Sequence, residues 1–227
     1  MNYPYICVAG FEVGQAETRH VRPLPRRDRL DRWLLRRHAG PFDIGSIVDL
    51  GDTRATGSPP EVEDHEYQAG GATYVSSVDR DEFWALLEVA AKPTLADIFG
   101  PELQPAGRTM AVEVGKGQAS LGILRPGGRP TVSLNSSGKP RLELSEGSTL
   151  LSLAVADLRL WQEDHQTARK DAVRALNQRL SQGTPMLLSV GLSRPFKPRD
   201  SDQEQHWLQV NNIHVRTNPV WRELDMR

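Results

Sequence analysis

The hexapeptide Arg194-Pro195-Phe196-Lys197-Pro198-Arg199 interleaves one aromatic ring with three cations between stiffening prolines. Those residue types suit a strand of nucleic acid, because cations neutralise phosphates and a flat ring stacks on an unpaired base. Further cations of the same kind are Arg22, the Arg26-Arg27 pair, Arg125, Lys139 and Arg141, and Trp207 and Trp161 are candidate stacking rings. The expected nucleic-acid site is therefore Arg22, Arg26, Arg27, Arg125, Lys139, Arg141, Arg194, Phe196, Lys197, Arg199 and Trp207. Each also has a plainer reading: Phe196 capping a fold, tryptophans packing in a core, and arginines on a solvated helix face.

Other chemistry finds little purchase. No phosphate-binding glycine loop, nucleophile elbow or zinc-protease motif is present. The six histidines are dispersed, and His206 and His214 stand too far apart on one extended segment to share an ion. The cluster Glu61, Glu63, Asp64, His65, Glu66 reads as an acidic, solvated loop or edge strand rather than a divalent-cation site. No metal and no cofactor is implied. His20, between Arg19 and Arg22, leaves a small nuclease open as an alternative. Cys7 is the one cysteine, so no intrachain disulfide forms, and its mid-strand position predicts a buried, inert thiol. That usage suits a reducing cytoplasm. No apolar run approaches a membrane span, and the N-terminus lacks the basic region of a secretory signal.

The formal net charge of −1 hides a segregation. Residues 1–40 carry +4, residues 41–120 carry −9, and residues 121–227 carry +4. Coating of nucleic acid by bulk charge is excluded, whereas a basic face built from both ends is not.

Elements must position these residues. In the first half, strands are expected at Tyr3 to Ala9, Arg19 to Leu24 and Ser46 to Leu50. A helix is expected over Asp28 to His38, where Leu30, Trp33 and Leu34 follow helical spacing, and another over Asp79 to Ala91 with Asp79 as its cap. Residues 105–117 thin the pattern with Pro105, Gly107, Gly115 and Gly117, and divide the chain into modules 1–110 and 111–227. The second half reads as strands at Gln118 to Arg125, Arg141 to Leu144 and Leu150 to Leu160, a helix at 167–181, then strands at Met186 to Arg194 and Trp207 to Val215. In that helix Ala168, Ala172, Val173, Leu176 and Leu180 form one apolar stripe. Three strands, a helix and two strands is the element order of an OB-fold.

The series YICVAG, RHVRPL, PFDIGSIVDL, LGILRP, DLRLW, MLLSVGLSRPF and HWLQVNNIHV resembles the bacterial dual OB-containing domain proteins over nearly the whole chain. The resemblance implies an α+β, mainly β fold of two OB-like small Greek-key barrels in tandem. It further implies a non-enzymatic role in binding nucleic acid, in prokaryotic defence or other mobile-element conflict. Arg22 and Pro23, Arg194 and Pro195, and Trp207 are the residues matching its pattern. Single-stranded DNA or RNA is the expected partner, since barrels with aromatic faces suit unstacked bases. A protein-interaction adaptor, with the acidic stretch meeting a basic partner in a multi-component system, is the alternative.

Overall fold

The computed structural model describes residues 4–14, 18–198 and 203–220. Strand outweighs helix, 39% against 18%, so the fold is α+β and mainly β. The first strands are β1 (Gly10–Phe11), β2 (His20–Pro25), β3 (Ser46–Asp49), β4 (Thr53–Ala55), β5 (Asp64–Tyr67) and β6 (Thr73–Ser77). Helix α1 (Arg80–Ala90), strand β7 (Ala91–Lys92), helix α2 (Leu95–Phe99) and the hairpin β8 (Gln104–Ala106) to β9 (Thr109–Glu113) follow. The second half contains β10 (Leu121–Leu124), β11 (Thr131–Leu134), β12 (Pro140–Glu146), β13 (Thr149–Val155), α3 (Lys170–Ser181), β14 (Met186–Leu192) and β15 (Gln205–Val215).

These strands form a four-stranded sheet β1-β2-β5-β4, a two-stranded sheet β3-β6, and a nine-stranded sheet whose main path runs β11-β12-β13-β15-β14-β10-β7. None of the sheets closes on itself, which corrects the expectation of two closed barrels. Strands of the first half are too short and too divided between sheets to wrap a core. The stretch 105–117, expected to join the two modules, carries the β8-β9 hairpin, and β9 pairs with the start of β15.

Local chemistry explains where the expected elements hold. Asp79 caps α1, its side chain accepting from Glu82 N at 2.8 Å. Helix α3 buries Ala172, Val173, Leu176 and Leu180, the stripe seen in the sequence. The helix expected over Asp28 to His38 is replaced by two short 3₁₀ turns, Arg32–Leu34 and Arg36–His38, separated by Leu35 in an extended conformation. Long-range contacts override helical spacing there: Leu35 bridges to Phe42, and the buried Arg32 reaches Glu163 at 3.2 Å. The first strand is shorter than expected: residues 4–9 hold only a bridge from Tyr5 to Asp31, and Tyr3 lies outside the described residues. Cys7 is exposed rather than buried.

The large sheet has two unlike faces. On one, Leu124, Leu142, Leu153, Leu188, Val190, Leu208 and Ile213 pack under α2 and α3 as the main core. On the other, Trp84 and Leu87 of α1 pack on Ile123 and Leu187, so the N-terminal elements and α1 cover the β10-β14 side. Alternation along β15 puts His206, Leu208 and Val210 inward, and Gln205, Trp207 and Gln209 on the opposite face. A bulge then intervenes: Ser189 pairs with Asn212 but Val190 pairs with Val210, leaving Asn211 without a partner in the ladder. Gly191 makes room for it, since a Cβ there would lie 2.4 Å from Asn211 Nδ2.

Gly122 has a comparable role. A Cβ at this position of β10 would meet Ile98 Cγ2 at 2.2 Å, so the bare backbone lets α2 sit directly on the strand. Gly122→Ala is expected to lower stability in urea unfolding by about 1–3 kcal/mol, as overpacking does. Ile98→Ala, which removes the clashing γ carbons, should cost less in the Gly122→Ala background than in the parent. A Gly122→Ala protein as stable as the parent would show that α2 does not pack this closely.

Candidate functional site

Two of the sequence-predicted cations, the buried Arg22 and the half-exposed Arg194, are taken up by carboxylates. Arg22 lies on β2, opposite Asp64 of the parallel strand β5, and is 4% exposed. Its guanidinium donates to Asp64 Oδ1 at 3.0 Å and to Ser120 Oγ at 2.6 Å. Ser120 Oγ in turn donates to Glu63 Oε2 at 2.7 Å, and the same carboxylate accepts from the backbone N–H groups of Ser120 and Leu121. Arg194 clasps the cluster from the far end of the chain, 2.7 Å from both Glu61 and Asp64. His206 Nδ1 donates to the Ser193 carbonyl at 2.9 Å beside it. The acidic segment is thus no solvated edge: β5 sits between β2 and β4, and Glu63 and Asp64 are buried. Buried carboxylates require cations, and the two arginines expected to face a ligand are the ones that supply them.

The remaining predicted residues divide by place. Arg26 and Arg27 are exposed in the turn after β2, and Arg125 is exposed 3.7 Å from Glu88. Trp161 is half-buried, with Nε1 donating to the Val155 carbonyl, so it packs rather than stacks. Arg199 lies outside the described residues. The others converge. Along β12 the outward positions are Arg141, Glu143 and Ser145, and along β13 they are Leu150, Ser152 and Ala154. Register places Arg141 across from Ala154, and Ala154 across from Gln209, with Trp207 two residues before it on the same face. Phe196 bridges to Gln205, lies 6.0 Å from the Trp207 ring and is 48% exposed. Trp207 Nε1 donates to the Phe196 carbonyl at 3.0 Å, holding the indole against the Phe196 main chain. Arg141 donates to the Ser152 carbonyl and hydroxyl, and Arg108 meets Glu143 at 3.1 Å. Lys139 is exposed in the turn that leads into β12, and Lys197 is exposed beside Phe196.

A second site was marked in the sequence at His20 alone, which was singled out there for nuclease chemistry. Between the N-terminal elements and the covered face of β10, β14 and β15 lies a cavity of about 510 Å³. Its polar groups include Ser46, His20, Ser189, Asn212 and His214. Ser189 Oγ is 2.9 Å from His214 Nε2, and His214 Nδ1 is 3.1 Å from the Pro219 carbonyl. A carbonyl only accepts, so Nδ1 carries the proton and the serine hydroxyl donates to Nε2. The arrangement has the order of a nucleophile, a base and an orienting group. Burial, with Arg159 nearby, pulls the His214 pKa down to about 4, which leaves a weak base at neutral pH. The pair is a satisfied buried contact. His20 is also held neutral, its pKa lowered to about 4 by burial. Besides His20, the sequence signal for this site is the broken alternation of Val210-Asn211-Asn212-Ile213; nothing marks Ser46.

Arg22→Met should cost about 3–5 kcal/mol in chemical unfolding, because it strands buried carboxylates. The half-exposed Arg194→Met should cost only about 1 kcal/mol, and equal losses would refute this ranking. The two histidines also set a pH dependence. An unfolded histidine protonates near 6.5, whereas His20 and His214 in the fold protonate only near 4. Between those values the unfolded chain binds more protons, so their contribution is complete above 6.5 and is lost as pH falls towards 4. The melting temperature should fall across that window, and His20→Phe should flatten the slope measured by calorimetry.

Comparisons with protein-family models, curated proteins and solved structures find no match for this chain, so its function is read from these two sites alone.

Proposed function

We propose that the chain binds single-stranded nucleic acid along the open face of β12, β13 and the first half of β15, with the connection from β14 to β15 as a rim. The observation that carries the reading is the Phe196-Trp207 pair, held in place by the Nε1 bond and set on the same face as Arg141. An immobilised, partly exposed ring stacks on a base with little entropy left to lose. Arg108, Arg141, Lys139 and Lys197 supply positive charge around it.

Connectivity supports the same reading. The order β12-β13-β15-β14-β10, with α3 between β13 and β14 and a parallel β13-β15 pair, is what an OB-type Greek key would have if opened between β10 and β12. In that fold the second and third strands and the connection between the fourth and fifth bind oligonucleotides. These correspond here to β12, β13 and the described residues 193–198 after β14. Arg22 and Arg194 are not part of the proposed interface, because the carboxylate cluster occupies them.

Fluorescence anisotropy with labelled oligo(dT) and oligo(U) of about 12 nucleotides tests this reading. Affinity should fall with rising salt, and Phe196→Ala should cost about 1–3 kcal/mol as a stacking ring does. Arg141→Met should weaken binding and reduce the salt slope by about 1. No binding at low salt, or unchanged affinity in Phe196→Ala, would overturn it.

A further inference from the structure

We propose that the turn after β2 holds a phosphate group, bound by Arg26, Arg27 and Gln68. The site is separate from the open face, and the inference does not rest on the strand-binding reading.

The small sheet sets these three residues side by side. Strands β2 and β5 run parallel, and their last paired residues are Pro25 and Tyr67. Arg26 N–H donates to the Tyr67 carbonyl at 2.9 Å, so the turn and Gln68 leave the ladder at the same end. Arg26, Arg27 and Gln68 line a surface depression of about 220 Å³, and all three are exposed, so a ligand reaches them from solvent. Sites for whole small molecules begin at about 300 Å³, so this one suits a single group.

The lining selects the group. Two guanidiniums and a side-chain amide offer N–H donors, and no carboxylate among the described residues lines the depression. Elsewhere arginines are taken up by carboxylates: Arg22 and Arg194 by Asp64, and Arg32 by Glu163. Among the described residues, neither Arg26 nor Arg27 makes an ion pair or a side-chain hydrogen bond. The neighbouring Asp28 turns one oxygen to the Arg29 N–H, at 2.7 Å. A planar guanidinium meets phosphate oxygens through parallel N–H bonds, and two of them match the double charge of a phosphate monoester.

The backbone gives an independent sign. Asp28 N–H closes the turn Pro25-Arg26-Arg27-Asp28 on the Pro25 carbonyl at 3.2 Å, and Arg27 has a φ of 60°. Glycine or asparagine is the ordinary residue at that place in such a turn, because a Cβ strains left-handed backbone. Arginine therefore works against the turn, and its side chain makes no hydrogen bond or ion pair with the described residues to offset the strain. Strain of this kind gathers where a side chain serves a ligand.

The test titrates the full chain with inorganic phosphate at fixed ionic strength, followed by backbone amide shifts in NMR. Shifts at Arg26, Arg27 and Gln68 should saturate together with a dissociation constant of about 1–10 mM, as exposed charge pairs allow. Chloride at the same ionic strength should give no such saturation. Arg26→Gln and Arg27→Asn should each weaken binding about fivefold. Without phosphate, Arg27→Asn should melt no lower than the parent, because asparagine tolerates the left-handed region. Absence of saturation up to about 50 mM, parental affinity in Arg27→Asn, or a marked loss of stability in that variant would overturn the proposal. Oligo(dT) with and without a 5′-phosphate separates the sources of the group. Tighter binding of the phosphorylated strand, lost in Arg27→Asn, assigns the site to a strand end, and equal binding of the two assigns it to a free phosphate compound. Phosphate saturation without any oligonucleotide affinity would defeat the strand reading alone.

Discussion

Two buried carboxylates, Glu63 in the turn before an interior strand and Asp64 at its start, set the need for partners around which the rest of the chain is arranged. A buried anion is tolerated only when paired and hydrogen-bonded. Here the partners come from three distant places: Arg22 from the basic first segment, Ser120 and Leu121 at the start of β10, and Arg194 after β14. The network therefore ties the small sheet to the large one, and the neutral total charge acquires a structural meaning. Both basic ends of the chain fold back on its acidic middle, as Arg216 also does on Asp81 at 2.7 Å.

Much of the secondary structure could be read from local patterns. The Asp79 cap, the α3 stripe and the strands from β12 onwards depend on neighbours within a few residues, and such signals survive folding. The segment 28–38 could not be read this way. Its apolar spacing was helical, yet the bridge to Phe42 and the reach of Arg32 to Glu163 connect residues that no window contains. The same limit explains the site. Phe196, Lys197 and Trp207 were visible because a loop motif and an exposed ring are local features. Arg22 and Arg194 looked like their neighbours, and only the tertiary placement of Asp64 shows that they are occupied. Closure of the barrels failed for a related reason, since element order does not determine which edges meet.

The open positions and the cavity divide one face of the large sheet. Where N-terminal elements and α1 cover that face, apolar contacts such as Trp84 on Leu187 enclose a cavity to which the sheet itself contributes the uncharged Ser189, Asn212 and His214. Where it is uncovered, Arg108 and Phe196 meet solvent, with Arg141 and Trp207 half-buried beside them. Covering half a sheet removes water and disfavours charge on that half, whereas the open half keeps both. The contrast in chemistry thus follows from where the first ninety residues happen to lie.

The unpaired Asn211 has a consequence for how this surface can change. Core positions on β15 are even-numbered before it (Leu208, Val210) and odd-numbered after it (Ile213, Val215). Without the bulge, the same residues run straight would turn Asn212 and His214 into the core and Ile213 out of it. The extra residue acts as a phase corrector, and it joins the open face and the cavity wall in one reading frame. A deletion of one asparagine leaves the apolar phase intact while removing an amide from the cavity, whereas an insertion elsewhere in the strand scrambles both regions. Substitutions can therefore tune either region alone, but a change of length in β15 acts on the two together.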